Sequence, residues 1–493
     1  MTRKKKRTPQ PGPASLPRET ALARFQPLLS ADDFTLLLAE LDRPLYAALR
    51  ANPLKCDPHA DPANWAARYG WQIQPVPYCP AGRQVIQAET SISATPEHRL
   101  GFYYIQDAAS MLPAELFDFS GTSAPLILDL AASPGGKTTH ITARTGDRGL
   151  VIANDSSADR ITALRIVLST WGSINNAITH FPGEKFGAWF PETFDYVLLD
   201  APCSMQGIRT TESHPMRAIT EHEITALAVR QARLLASAFQ ALRPGGQVVY
   251  STCTLTPEED EGVLDALLRQ FPSAVHIEDL SRKLPMPAPA LAGVEQRLFD
   301  PAVRVAARLW PHRYGTSGFF AALITKTASV SKSSQEPPAR PLDGTGFEPL
   351  PAASTLELSQ RFQNDYGFDL NAILAAQALS LWRRGTRLFA FPNAYLNRFS
   401  QFPVQSLGLP LGDDRSGDFQ LAHEWAARFG LQFQNGVVTL AEAQTLAWLR
   451  GEDVPLPATY GDGAILVVRD EFNRNLARGL VQAGRLKNLY PKR

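Results

Sequence analysis

Between residues 96 and 326, short apolar runs alternate with stretches of helical period. Leu126–Ala132, Gly149–Asp155, Ala177–Phe181, Phe194–Pro202 and Gln247–Cys253 predict strands, because each is short, apolar and bounded by turn-forming residues. The clearest helix is Glu221–Leu242, with Ile224, Leu227, Leu234, Leu235 and Ala238 on one face. It opens with Thr220-x-x-Glu223, a capping box, and stops at Pro244-Gly245-Gly246, a terminator followed by a turn. A second box, Thr256-Pro257-x-Glu259, predicts that another helix starts directly after Cys253. Alternation of this kind implies a parallel sheet covered by helices on both faces.

Outside that core the pattern changes. Residues 1–20 are basic and rich in proline, the composition of a disordered tail. Residues 21–95 form a small mixed module with early helical spacing (Phe34, Leu37, Leu38, Leu41). The core domain is assigned to 96–327, and a Ser-, Pro- and Gly-rich linker to 328–353. Two small domains, 354–415 and 416–493, follow, and runs such as Gly463–Val468 suggest strands in them. No internal repeat is present.

Composition narrows the class without naming it. A chain of 493 residues, 44% hydrophobic and 20% charged, has the make-up of an ordinary globular protein. No apolar run reaches the roughly 18 residues of a membrane span, and the basic start leads into Pro and Gly rather than a secretory core. The four cysteines form no C-x-x-C pair and lack zinc-site spacing, so no metal is expected and a reducing, cytoplasmic compartment is. Lys plus Arg (49) nearly cancel Asp plus Glu (48). The basic residues crowd the two ends, in Arg3–Arg7 and in Arg469, Arg474, Arg478, Arg485, Lys487, Lys492 and Arg493. Such ends suit phosphate contacts and suit solvated tails equally well.

The chemistry lies at strand ends. Cys203 follows Leu198-Leu199-Asp200-Ala201-Pro202, and Cys253 follows Tyr250-Ser251-Thr252. Strand ends of a parallel sheet open onto the ligand crevice, so both thiols are expected at one site. A thiolate there can add to an electron-poor ring, and a second thiol needs its own task. Leu126-Ile127-Leu128-Asp129-Leu130-Ala131-Ala132-Ser133-Pro134-Gly135-Gly136-Lys137-Thr138 reads as strand, small-residue turn and helix start. It is no phosphate loop, which needs glycine where Ala131 stands, and its adjacent glycines rule out the dinucleotide fingerprint. A nucleoside ligand of another kind remains. Asp155, closing the next strand, can accept ribose hydroxyls or cap the helix that follows Ser156 and Ser157.

Five ordered motifs carry a resemblance: Tyr104–Met111, Pro134–Thr138, Asp200–Ser204, Tyr250–Thr254, and Arg308–His312 before Gly318-Phe319-Phe320. Together they resemble the Nop/Sun (NSUN-type) family of S-adenosylmethionine-dependent RNA cytosine-5-methyltransferases. Arg50–Lys55 looks like that family's N-terminal module. Phe391–Leu409 and Gly484–Lys492 look like its RsmF-like branch, which modifies small-subunit ribosomal RNA in bacteria and ends in a PUA-like RNA-binding domain.

The resemblance implies an α/β fold: a Rossmann-like class I methyltransferase core, a small N-terminal α/β module and a C-terminal α+β PUA-like region. It implies S-adenosyl-L-methionine held by Ala131, Ala132, Ser133, Pro134, Gly135, Gly136, Lys137, Asp155, Pro182 and Asp200. Cys253 would be the nucleophile, Cys203 the residue of product release and Asp200 the group that orients cytosine. Lys137 would tune the nucleophile or touch substrate. Structured RNA, small-subunit ribosomal RNA or its particle, would be the partner of a monomeric enzyme with no membrane association.

The chain departs from the family pattern in the loop, where Ala131-Ala132-Ser133-Pro134 stands for the usual Cys-Ala-Ala-Pro, at Pro182 where an acidic residue usually meets adenine, at Met205 where glycine is usual, and at Asp260 where asparagine is common. Glu184 could replace the acidic group, and Met205 could tighten the wall near Cys203. Cys56, Cys79 and His312 read as structural, Gln106 and Asp107 as lining the cofactor or holding the loop, and Arg209 as a phosphate contact. The alternatives are a transfer-RNA cytosine methyltransferase with the same chemistry, and a silent RNA-binding assembly factor that keeps the fold.

Overall fold

The computed structural model describes residues 22–207, 219–330, 334–415, 418–456 and 459–490. The basic tail 1–20, Arg209, Lys492 and Arg493 lie outside the described residues. The N-terminal module is an antiparallel sheet of β1 (Ala47–Ala51), β2 (Trp71–Val76), β3 (Cys79–Ala88) and β4 (Tyr103–Ile105), in the order β2-β3-β1-β4.

The core contains β5 (Leu126–Asp129), β6 (Leu150–Asn154), β7 (Asn176–Thr179), β8 (Phe194–Asp200), β9 (Leu242–Thr252) and β10 (Val275–Ile277). A small hairpin, β11 (Gly293–Val294) and β12 (Arg297–Leu298), precedes β13 (Ala307–Leu309) and β14 (Phe319–Lys326). Five strands run parallel in the order β7-β6-β5-β8-β9, and antiparallel β14 lies between β9 and β10. This is the doubly wound arrangement expected from the alternation. Side chains alternate across the sheet. Leu126, Leu128, Val197, Leu199, Val248 and Tyr250 pack on the face covered by helices Glu221–Ala241 and Glu261–Gln270. Ile127, Leu198 and Val249 pack on the other, with Ile141 and helix Leu112–Leu116. The chain builds outward from β5 to β7, then crosses back to lay β8 on the other side of β5. Ligand crevices form where strand order reverses in this way, so the C-terminal ends of β5 and β8 frame the site.

Several local expectations need correction. The strands end earlier than the apolar runs, because the last residues of each run turn into the crevice. Helix Glu221–Ala241 has its Thr220–Glu223 capping box, with bonds of 3.0 and 3.2 Å, but the chain passes directly into β9 and Pro244-Gly245-Gly246 lies within that strand. The second capping box does not form. The following helix begins at Glu261, behind an N-cap without side-chain bonds.

The C-terminal region is not tethered loosely. β15 (Glu348–Pro349), inside the stretch expected as a linker, is the edge of an antiparallel sheet with β16 (Leu379–Arg384) and β17 (Arg387–Pro392). β18 (Ser406–Leu407) leaves that sheet and pairs with β7 of the core. β19 (Leu409–Arg415) and β20 (Asp418–Leu421) complete it, so a domain boundary at 415/416 would cut a hairpin. The last sheet has the order β21-β23-β24-β25-β22, from Val437–Leu440, Val454–Pro455 (β22), Ile465–Asp470, Asn475–Gln482 and Arg485–Asn488. Its Val438 and Leu440, with Trp448 of helix Glu442–Leu449, share one buried cluster with Leu49, Trp65 and Trp71 of the N-terminal module.

Candidate functional site

β8 and β9 are parallel neighbours with Asp200 opposite Ser251. The loops that leave them therefore emerge side by side, each carrying a cysteine two or three residues on. Cys203 and Cys253 meet there, their Sγ atoms 3.2 Å apart, with Cys253 exposed and Cys203 partly so. Met205, one turn further, has φ +59° and is 54% exposed. That backbone conformation is the one glycine adopts without strain, which explains why glycine is usual there.

The two thiols have opposite tendencies. A hydrogen bond from Cys203 lowers the Cys253 thiol below its ordinary value, Lys137 helps, and burial and Asp200 oppose without prevailing. The same bond, together with burial, pushes Cys203 well up. Of the two sulfurs, Cys253 is thus the more readily ionised and Cys203 the one that holds its proton more firmly. Lys137 donates to Asp200 Oδ2 at 2.6 Å, and Ser251 Oγ to Asp200 Oδ1 at 2.8 Å. Burial works against the Lys137 charge, but the Asp200 carboxylate outweighs it and the net shift is upward. Lys137 and Asp200 thus form an ion pair beside the thiols.

A hollow of about 130 Å³ adjoins this pair, lined by Tyr104, Gln106, Asp129, Ala131, Ala132, Ser133, Pro134, Gly136, Lys137 and Asp200. Asp129 donates nothing and accepts from Thr138 at 2.6 Å through Oδ2, while its buried Oδ1 has no partner. Burial pushes that carboxyl up to about 7. An unpartnered buried carboxylate oxygen in a small-residue cradle suits an ammonium group, and the volume suits the amino-acid end of a nucleoside cofactor. Gly135 lies behind the hollow with φ +112°, and a Cβ there would meet Val167 at 2.9 Å.

Other expected cofactor residues are placed differently. Asp155 accepts amides of Ser133 at 3.1 Å and Ser157 at 2.9 Å, which ties the glycine loop to the turn before helix Ala158–Trp171 without capping that helix. Neither Asp155 nor Pro182 lines the hollow. Glu184 faces Arg230 at 3.4 Å. Gln106 lines the hollow, whereas Asp107 holds its own turn by accepting from Ala109 and Ser317.

The groups that brace the site lie in runs the sequence singled out only as points of resemblance or departure, with no bracing role assigned. Arg50, fully buried, donates to Gly136 O at 2.9 Å and Thr139 Oγ1 at 2.8 Å, fixing the start of the helix after the glycine loop. Asn52 and Lys55 of the same run bond backbone carbonyls of Gly101, Trp171, Leu100 and Thr170. The run docks the module on the core. Arg308 is clasped by Glu261 and Asp260, and Asp260 also accepts from Thr252 at 2.6 Å, next to Cys253. Several C-terminal arginines, read equally as phosphate contacts or as solvated charge, turn inward instead: Arg469 bonds Gly430 O and Phe433 O, Arg478 bonds Leu421 O, and Arg474 pairs with Asp470 and Glu97. Arg485 and Lys487 are exposed.

Cys79, Glu115 and His140 bring three potential metal-ligand atoms within 4.8 Å of one another. Arg144 already holds Glu115 at 3.2 Å, and burial keeps His140 neutral, lowered to about 4. Burial also raises the Cys79 thiol, which makes it a poor nucleophile. His312, also buried, lies 3.4 Å from Asp33. Among the described residues no helix is long and apolar enough to cross a membrane.

Comparison with known proteins places the chain in a family. The model of the 16S rRNA methyltransferase RsmB/F family matches residues 121–325, and that of the N-terminal domain of 16S rRNA methyltransferase RsmF matches 16–108. The chain is 34% identical to the ribosomal RNA small subunit methyltransferase F of Pectobacterium atrosepticum, over 97% of this chain and 96% of that one. It is likewise 34% identical to the protein of that name from Escherichia coli, over 94% and 92%. A methyltransferase homologue from Pyrococcus horikoshii superposes with a TM-score of 0.52 and 31% identity, covering 62% of this chain and 99% of its own. NSun6 of the same organism gives 0.53 at 22% identity, covering 64% and 98%, a likeness of fold. With both domain models in chain order and relatives matched along nearly their whole length, the chain belongs to the ribosomal RNA small subunit methyltransferase F family.

Proposed function

We propose that this protein methylates carbon 5 of a cytosine in small-subunit ribosomal RNA, with S-adenosylmethionine as donor, through a covalent bond to Cys253. The observation that carries the reading is the pair of sulfurs 3.2 Å apart, beside the Lys137–Asp200 pair. Carbon 5 of cytosine is a weak nucleophile. Addition of the Cys253 thiolate to carbon 6 converts the ring to an enamine whose carbon 5 can attack a methyl group. Asp200, held as a carboxylate by Lys137 and Ser251, would orient the ring by accepting from the cytosine amino group, and would stabilise a proton taken up from solvent at the ring nitrogen, which makes carbon 6 more electrophilic. The bound donor supplies an electrophilic methyl carbon. After transfer the carbon 5 proton leaves, the carbon–sulfur bond breaks and the Cys253 thiolate returns. With Cys253 tied up as a thioether, the bond that holds the Cys203 proton is gone; Cys203, having released that proton to solvent, is the base that takes the carbon 5 proton, directly or through a water.

The hollow at Asp129 would hold the amino-acid end of the donor, with Ala131 to Lys137 around it and Asp155 and Pro182 toward the nucleoside. The target base must leave its stack to reach the sulfurs, so the substrate is a single-stranded or flipped cytosine. Exposed Arg485 and Lys487 would grip backbone phosphate, and a ribosomal substrate places the work in the cytoplasm. Both sulfurs and the hollow belong to one chain, which fits action as a monomer. The test is bisulfite mapping of small-subunit ribosomal RNA after incubation with protein and donor. A single new 5-methylcytosine is expected, and methylation of transfer RNA alone would reassign the substrate.

A further inference from the structure

Glu259 stands where the sequence pattern puts the reciprocal carboxylate of a helix cap, yet its side chain turns away from that helix. It is fully buried in the turn between Cys253 and helix Glu261–Gln270. Its Oε2 accepts from the Ser204 amide at 2.9 Å and from Gln231 Nε2 at 2.8 Å. Gln231, equally buried on helix Glu221–Ala241, donates from the same nitrogen to Pro202 O at 2.9 Å. The backbone groups on either side of Cys203 are thereby tied to one polar pair. A bridge of 3.1 Å between Ser204 Oγ and Thr254 Oγ1 joins that loop to the one carrying Cys253. The remaining oxygen of Glu259, Oε1, has no hydrogen-bond partner, and neither does Gln231 Oε1. Burying a carboxylate with half its acceptor capacity unused is costly, and apolar packing would fill the space at lower cost. What the pair provides instead is geometry, since two directional bonds fix the three residues Pro202–Ser204 against the turn that follows the nucleophile.

We propose that Glu259 and Gln231 are positioning residues for the release half of the reaction, holding Cys203 against Cys253. The inference rests on the assignment of the two cysteines made above. It is tested with purified full-length variants, a small-subunit ribosomal RNA substrate and S-adenosylmethionine, by following covalent protein–RNA adduct on denaturing gels in single-turnover reactions. Cys203→Ala is the reference that traps adduct. Glu259→Ala and Gln231→Leu are expected to prolong the adduct roughly 10- to 100-fold, the scale of a small misplacement of a reacting group. Donor affinity, read by calorimetry, should stay within about threefold of wild type, well short of a tenfold or 1.4 kcal/mol change.

Glu259→Gln keeps a carbonyl oxygen for both donors and should restore release to near the wild-type rate. Because Glu259→Ala leaves two buried donors unpaired and can lower stability, thermal unfolding accompanies each variant, and Gln231→Leu carries the test if the first does not fold. No excess adduct in either variant while Cys203→Ala traps it overturns the inference alone. So does a Glu259→Gln protein as defective as Glu259→Ala. Absence of adduct in Cys203→Ala overturns the cysteine assignment, and this inference with it.

Discussion

At the scale of single residues, the division of labour between two thiols follows from their shared hydrogen bond. Cys203 donates, so Cys253 is lowered and Cys203 raised. A lowered thiol is the charged form over a wider pH range, and it loses reactivity as pH falls through its pKa. In Cys203→Ala the donor is gone, so the Cys253 pKa should rise and the pH profile of adduct formation should move to higher pH, as stopped time courses between pH 6 and 9 would show. Formation becomes slower at neutral pH, but adduct still collects because release is blocked. Lys137→Met removes a second stabiliser of the Cys253 charge and leaves Asp200 without its cation. Methyl transfer should drop by about two orders of magnitude, the usual range for loss of one acid–base or electrostatic group. Filter-bound tritium from labelled donor measures it, and a drop of less than threefold would remove Lys137 from the site.

At the scale of elements, the strand ends place the chemistry and a buried ion cluster holds it there. Arg308 on β13 is fully buried between Asp260 and Glu261, and its Nη1 donates to Leu255 O at 2.9 Å. Desolvation outweighs the attraction of Arg308 at Asp260, pushing its carboxyl up. Arg308→Met strands two acidic groups in the interior and should cost about 3–5 kcal/mol, the range for one partner lost from a buried pair. Urea unfolding monitored by tryptophan fluorescence reads it, and a loss below about 1 kcal/mol would show the cluster to be loosely held.

The parallel sheet and both cysteines were legible because apolar runs ending in Asp-Ala-Pro-Cys and Ser-Thr-Cys have one reading in a doubly wound fold. Glu259 was not, because Thr-Pro-x-Glu is a correct local cap signal. Tertiary bonds to Ser204 and Gln231 overrode it. The inward turn of the arginines at 469, 474 and 478 matched neither open reading for a similar reason: charge along a sequence does not reveal which carbonyl or carboxylate a fold will bring to it.

At the scale of the molecule, the C-terminal half is built into the core. β18 extends the central sheet at β7, and Phe399 and Phe402 pack on Phe181, Phe190 and Phe194. Removing residues 328–493 would bare a sheet edge and that aromatic face, so the fragment 1–327 should aggregate on expression. A monodisperse fragment by light scattering would contradict this. The expected linker between independent domains is therefore a structural strap, and its edge strand Glu348–Pro349 was hidden by the Ser- and Pro-rich composition around it.

All of this framework serves to bring one base to one sulfur. RNA carrying 5-fluorocytosine at the target position blocks loss of the carbon 5 substituent, so wild-type protein and S-adenosylmethionine should give a stable adduct. Peptide mapping by mass spectrometry is expected to find the methylated fluorocytosine on the peptide containing Cys253. Attachment at Cys203 or Cys79, or a reaction that proceeds without any attachment, would contradict the account.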